Sequence, residues 1–134
     1  MDIKTKEFRS FCDARGSLTV LEECEDIPFN VKRVYYMYNT RHEEIRGCHA
    51  HKKLEQILIC VHGSCKIRLD DGLETRIIEL SNPAEGVYVA NNVWREMFDF
   101  SQDAVLLVLA SEVYDEKDYI RDYDAFLKYV GKMK

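Results

Sequence analysis

Over the first 110 positions, apolar residues fall in short runs, and many alternate with polar ones. Nine runs read as strands: Ser17–Glu22, Val31–Tyr38, Gly47–His51, Glu55–His62, Cys65–Asp70, Thr75–Leu80, Val87–Ala90, Trp94–Phe100 and Ala104–Ala110. A period of two marks a half-buried strand, and short unbroken apolar runs fit fully buried ones. His62-Gly63-Ser64, Asp70-Asp71-Gly72 and Asn82-Pro83-Ala84 punctuate them as turns. Asp71-Gly72 tolerates the positive φ angles of a tight hairpin. Strands recurring about every ten residues predict an all-β sandwich or barrel. After Asp115 the period changes. Tyr119, Tyr123, Phe126, Leu127 and Val130 sit at helical spacing, predicting a helix over 115–131 laid on the outside of the barrel. Asp115 is its expected cap, Gly131 its expected end, and the aromatic stripe reads as core.

The chain has 134 residues, enough for one domain with a real core. Its 46% hydrophobic and 32% charged residues are those of an ordinary soluble protein. No run reaches the roughly 18 apolar residues of a membrane span. The segment MDIKTKEF has no apolar signal region. The five cysteines include no Cys-x-x-Cys pair, so free thiols in a cytoplasm are expected. A net charge of −5 argues against nucleic-acid binding. One cationic cluster stands out: Arg41, Arg46, Lys52, Lys53 and three histidines, opposed by Glu43 and Glu44. On an acidic protein it fits a small anionic ligand better than a polymer.

Within that cluster lies Arg46-Gly-Cys-His-Ala-His-Lys-Lys-Leu-Glu-Gln56. On a strand, residues two apart share a face, so His49 and His51 point the same way. Neutral imidazoles on one face suit a metal or general acid–base chemistry, because their pKa lies near the working pH. Glu55, four residues on, is either a third ligand's remnant or a carboxylate that orients an imidazole.

Gly47–Gly63 resembles the first motif of the cupin superfamily: glycine, His-x-His, a short spacer, Glu, and a later glycine. The resemblance implies a jelly-roll double-stranded β-barrel, here one cupin domain over 1–134 with the barrel over about 1–112. Metal-binding members add a histidine from a second motif. The matching stretch starts at Gly86, and Met97 stands at the ligand position, with Arg95 close by. A thioether is a poor partner for hard or borderline ions, and a fixed cation disfavours another. Metal-independent chemistry is therefore expected.

Arg15–Leu18, Lys32–Tyr36, the His-x-His stretch, Leu69–Gly72, Val93–Met97 and Tyr114–Phe126 together resemble the bacterial dTDP-4-dehydro-6-deoxyglucose 3,4-ketoisomerases. That resemblance implies a dTDP-linked keto sugar as substrate, no cofactor, a homodimer with exchanged strands, and catalysis by His49 and His51. It implies a place in the biosynthesis of 3-amino-3,6-dideoxysugars for bacterial surface glycans. Which imidazole is base and which acid stays open. Arg41 and Arg46 are expected on the pyrophosphate, since guanidinium forks match phosphate oxygens. Lys53 and Arg121 are further candidates. Arg33 and Tyr35 share a strand face and are expected to line the pocket. Trp94 is a candidate to stack on the thymine, and Arg95 to lie near the sugar. Two rival functions are a metal-dependent cupin enzyme and a non-catalytic nucleotide-sugar binding module.

Overall fold

The computed structural model describes residue 1 and residues 3–133. Among the described residues twelve strands form: β1 (Lys4–Glu7), β2 (Ser10–Asp13), β3 (Gly16–Thr19), β4 (Arg33–Met37), β5 (Arg46–His51), β6 (Gln56–His62), β7 (Cys65–Asp70), β8 (Thr75–Leu80), β9 (Glu85–Val89), β10 (Trp94–Phe98), β11 (Val105–Ala110) and β12 (Tyr119–Ile120). One five-stranded sheet runs β1-β9-β6-β11-β4, and a second runs β12-β5-β10-β7-β8. All ladders within them are antiparallel. β2 and β3 pair only with each other.

Alternation sorts side chains into an interior and two outer layers. Leu58, Ile67, Leu69, Leu106, Val108, Met97 and Phe100 meet between the sheets. Phe8, Ile27, Phe29, Ile57, Ile59 and Leu109 cover the outside of the first sheet. Outside the second lie Ala50, Trp94, Ile120, Phe126 and Val130. The last two come from α1 (Tyr123–Gly131), whose first turn is capped by Asp122 accepting from the Ala125 N–H at 2.9 Å.

Each of the nine expected runs overlaps a strand. β1 had no apolar signal, because Lys-Thr-Lys-Glu pairs through its backbone at a sheet edge with every side chain exposed. The expected helix over 115–131 is corrected. Residues Glu116–Asp118 form one 3-10 turn, Tyr119–Ile120 pair with His51 and Ala50 as β12, and the α-helix begins only at Tyr123. Asp115 caps the 3-10 turn instead, accepting from the Lys117 N–H at 3.1 Å.

A β-bulge interrupts β5. Arg95 faces His49 across the β5–β10 ladder, Glu96 faces Gly47 and Met97 faces Arg46, so Cys48 is the extra residue. Gly47 and Cys48 both have positive φ, 86° and 55°. Glycine suits the first position: a Cβ there would sit 2.6 Å from Met97 Sδ and 3.2 Å from the Arg95 carbonyl. Without the bulge, Arg46 and His49, three residues apart, would face opposite sides. With it, both face the interior, beside Met97 and Arg95.

Candidate active site

His49 and His51 project from β5 into the barrel. Both are buried, and their Nε2 atoms lie 3.1 Å apart. The rings meet edge to face with centroids 4.8 Å apart. Behind them is Asp118, which closes the 3-10 turn. Its carboxylate accepts from the backbone N–H of Lys53 at 2.8 Å and of Leu54 at 3.2 Å, and lies 3.1 Å from His51 Nδ1. A carboxylate held by two amides accepts from Nδ1–H, which fixes the His51 tautomer and leaves its Nε2 as the lone pair. His49 must then carry its proton on Nε2 and donate it to His51. Between the two rings sits one transferable proton, with a carboxylate anchoring the far end.

Both imidazoles are neutral at physiological pH. Burial pushes His49 down to about 4, with the Arg95 charge adding to the effect. His51 is pushed lower still, again by burial first and Arg95 second. Arg95 itself is fully buried and remains a cation, although burial lowers it to about 10. It donates to Gln56 Oε1 at 2.6 Å and to the Val93 carbonyl at 2.8 Å. It forms no ion pair among the described residues. A buried charge with no carboxylate in direct contact is costly, although Asp118 lies close enough to favour it, and it polarises whatever lies near it.

His49 opens onto a cavity of about 360 Å³ between the sheets, lined by Arg33, Tyr35, Met37, Arg46, Gly47, Met97, Tyr119 and Arg121 as well. Its rim is cationic. Arg33 lies over the Tyr35 ring at 5.1 Å and over Tyr114 at 5.6 Å, and its Nε and Nη2 are buried without a partner. Arg46 forms no ion pair among the described residues. Arg121 grips Glu116 at 2.7 and 2.8 Å and lies 4.2 Å above the Tyr119 ring. Tyr119 in turn packs against His49 at 4.9 Å and His51 at 4.3 Å.

The structure thus brings His49, His51, Arg33, Tyr35, Arg46, Arg95 and Arg121 together. Arg41, Lys53 and Trp94 lie outside the cavity lining. Arg41 is exposed on a turn away from this cavity, 2.6 Å from Glu44 and 3.7 Å from Glu43. Lys53 contributes its backbone N–H to Asp118, while its side chain is exposed and outside the cavity lining. Trp94 faces outward because it neighbours inward-facing Arg95 on one strand. It packs on Tyr123 and Phe126 and donates to Glu96 at 2.9 Å. Glu55 does not orient an imidazole: it takes a hydrogen bond from the Tyr88 hydroxyl. That part belongs to Asp118, which sequence reasoning missed together with Tyr119 and Gln56.

The donor set does not suit a metal ion. Two neutral imidazoles face a buried guanidinium, and no group of three or more His, Cys, Asp or Glu among the described residues is arranged to hold an ion. It suits proton transfer beside an anionic ligand.

Comparison with known proteins agrees with that chemistry. Residues 1–131 match the family model described as FdtA: WxcM-like, C-terminal. The chain is 55% identical over 133 residues to the TDP-4-oxo-6-deoxy-α-D-glucose-3,4-oxoisomerase of Aneurinibacillus thermoaerophilus, covering 99% of this chain and 96% of that one. A 3,4-ketoisomerase from Helicobacter canadensis superposes with a TM-score of 0.95 at 51% identity, covering 98% of each chain. So does the H51N mutant of a Thermoanaerobacterium thermosaccharolyticum 3,4-ketoisomerase in complex with TDP-4-keto-6-deoxyglucose. Its TM-score is 0.95 at 50% identity, over 97% of this chain and 94% of that one.

Proposed function

The chain belongs to the FdtA/WxcM-like family of TDP-4-oxo-6-deoxyglucose 3,4-ketoisomerases, and from that premise we propose that His49 and His51 isomerise the keto sugar by moving a proton. The observation that carries this is the buried imidazole pair, 3.1 Å apart and backed by Asp118, at the edge of a cationic cavity. The C4 ketone acidifies the hydrogen on C3. A neutral imidazole removes it, leaving an enediolate, and a proton returned to C4 leaves the ketone at C3. The sugar's oxidation level does not change, so the balance requires no redox partner. Neutral imidazoles perform both steps. Arg33 and Arg46, free of carboxylates, are matched to the pyrophosphate, and Arg121 closes the rim. The H51N relative holding the keto sugar supports a chemical rather than a purely binding role for a histidine.

The pH profile tests the pair. A base pushed down to about 4 stays unprotonated until the solution is acidic. With TDP-4-keto-6-deoxyglucose, kcat/KM is expected to stay flat from pH 7 to about 5 and to fall only below that. The sign follows from the direction of the shift: protonation removes the base, and a lowered pKa moves that loss to lower pH. An acid limb centred at the ordinary imidazole value, about 6.5, would count against a desolvated pair.

We further propose a homodimer with exchanged strands in the cytoplasm. In support, the β2–β3 hairpin leaves Phe11 63% and Leu18 59% exposed. The edge strand β4 also turns Val34 and Tyr36 to solvent. A second chain covering an open edge and apolar side chains is a common outcome. Light scattering is expected to give twice the 15.8 kDa chain mass, and a single-chain mass would remove the proposal. All five cysteines are free thiols, and no helix among the described residues is long and apolar enough to cross a membrane.

A further inference from the structure

We propose that Glu116 is a positioning residue, which holds Arg121 in place for the pyrophosphate of the substrate. The inference rests on the ketoisomerase reading and deepens it. Arg121 lines the cavity onto which His49 opens, and its side chain is half-exposed. Left to itself, so long a side chain samples many rotamers, and a ligand that uses it must first immobilise it. Glu116 immobilises it in advance.

Contacts fix the guanidinium on an edge and on a face. Its Nε donates to Glu116 Oε1 at 2.7 Å and its Nη2 to Glu116 Oε2 at 2.8 Å, a side-on fork. Its face lies 4.2 Å from the centre of the Tyr119 ring. Glu116 is itself steadied by the Tyr114 hydroxyl, which donates to Oε2 at 2.8 Å. Arg121 and Tyr114 together hold the Glu116 carboxyl down at about 2, so it stays an ionised acceptor at neutral pH. A guanidinium carries five N–H donors. The fork occupies the Nε edge and leaves the N–H groups of Nη1 for the phosphate oxygens of a ligand.

The same 3-10 turn carries a second carboxylate. Asp115 closes the turn, accepting from the Lys117 N–H on its side chain at 3.1 Å and from the Asp118 N–H on its carbonyl at 3.0 Å. Glu116 reaches from the turn to Arg121, and Asp118 reaches to His51. Tyr119, the next residue, packs between that cation and the two imidazoles. One turn thus holds the phosphate-binding cation and the imidazole pair in a single register. Stability does not account for the Glu116–Arg121 pair, because exposed ion pairs contribute little. Long-range attraction does not account for it either, because a carboxylate beside a cationic cavity repels an anionic ligand. Orientation of Arg121 does.

The sign of the change in TDP affinity separates these roles. TDP carries the pyrophosphate without the sugar, so calorimetric titration with it reads the cation apart from the chemistry. Glu116→Ala takes a negative charge from the rim, and charge alone would make TDP bind more tightly. The proposal expects weaker binding, by about 3- to 10-fold, the cost of immobilising one long side chain. KM for TDP-4-keto-6-deoxyglucose is expected to rise alike, with kcat little changed. Glu116→Gln keeps the shape and one acceptor. It is expected to weaken TDP binding less, and it carries the test if circular dichroism shows that the alanine variant does not fold. In an Arg121→Ala background, Glu116→Ala is expected to leave TDP affinity unchanged or to raise it. Equal or tighter TDP binding by the single Glu116 variants, a loss that persists without Arg121, or a loss confined to kcat would overturn the proposal. Wild-type protein that does not bind TDP would overturn it too. Wild-type protein that binds TDP but leaves the keto sugar unchanged would bring down the ketoisomerase reading alone, and the titrations would still decide the part played by Glu116.

Discussion

Replacing either His49 or His51 by asparagine is expected to lower kcat by about 10²- to 10⁴-fold, the usual contribution of a positioned acid or base. Asparagine preserves the size and some of the hydrogen bonding of imidazole, but it does not take up a proton in this pH range. At position 51 its side-chain NH2 can still meet Asp118. At position 49 it still projects toward the cavity. Neither substitution removes Arg33 or Arg46 from the rim, so KM is expected to change only a few-fold. Steady-state kinetics by NMR would separate the two constants. A variant with near-normal kcat at either position would remove that histidine from the chemistry.

The second large effect is expected at Asp118, which does not line the cavity. Its carboxylate satisfies three donors: the Lys53 and Leu54 amides and His51 Nδ1–H. Asp118→Asn removes one acceptor. In either orientation its NH2 meets a backbone N–H, and in one of them it also meets Nδ1. The His51 tautomer is then no longer fixed, and the proton between the rings can move to the wrong nitrogen. Loss of the orienting carboxylate in a serine-protease triad costs about 10⁴-fold in kcat. Here a loss of roughly 10²-fold or more is expected, with KM little changed. Preserved kcat, or a loss that falls entirely on KM, would show that the His51 tautomer is fixed by something other than Asp118.

Much of this site is written in period-two spacing. His49 and His51 share a face, and so do Arg33 and Tyr35, because strands alternate. The same rule shows why Trp94 and Arg95 do not both reach the cavity. What spacing does not reveal is the bulge at Gly47-Cys48, which brings Arg46 round to His49, nor how far apart the fold carries neighbours in sequence. Arg41 and Lys53 looked like part of one cationic cluster, yet each ends on a turn outside the cavity. Asp118 and Tyr119 were hidden for another reason. Tyr119 fits the helical stripe that continues through Tyr123 and Phe126, and the 3-10 turn that delivers it to His51 has no apolar period of its own. Gln56 lay unnoticed beside Glu55, although it is the residue that links Tyr35 to Arg95.

The most direct measurement is the NMR spectrum of TDP-4-keto-6-deoxyglucose incubated with this protein in heavy water. Proton transfer by His49 and His51 predicts a sugar whose ketone has moved to C3 and whose C4 carries deuterium from the solvent. A sugar that binds but keeps its C4 ketone and its C3 hydrogen would contradict it, and would make the cavity a binding site rather than an active site.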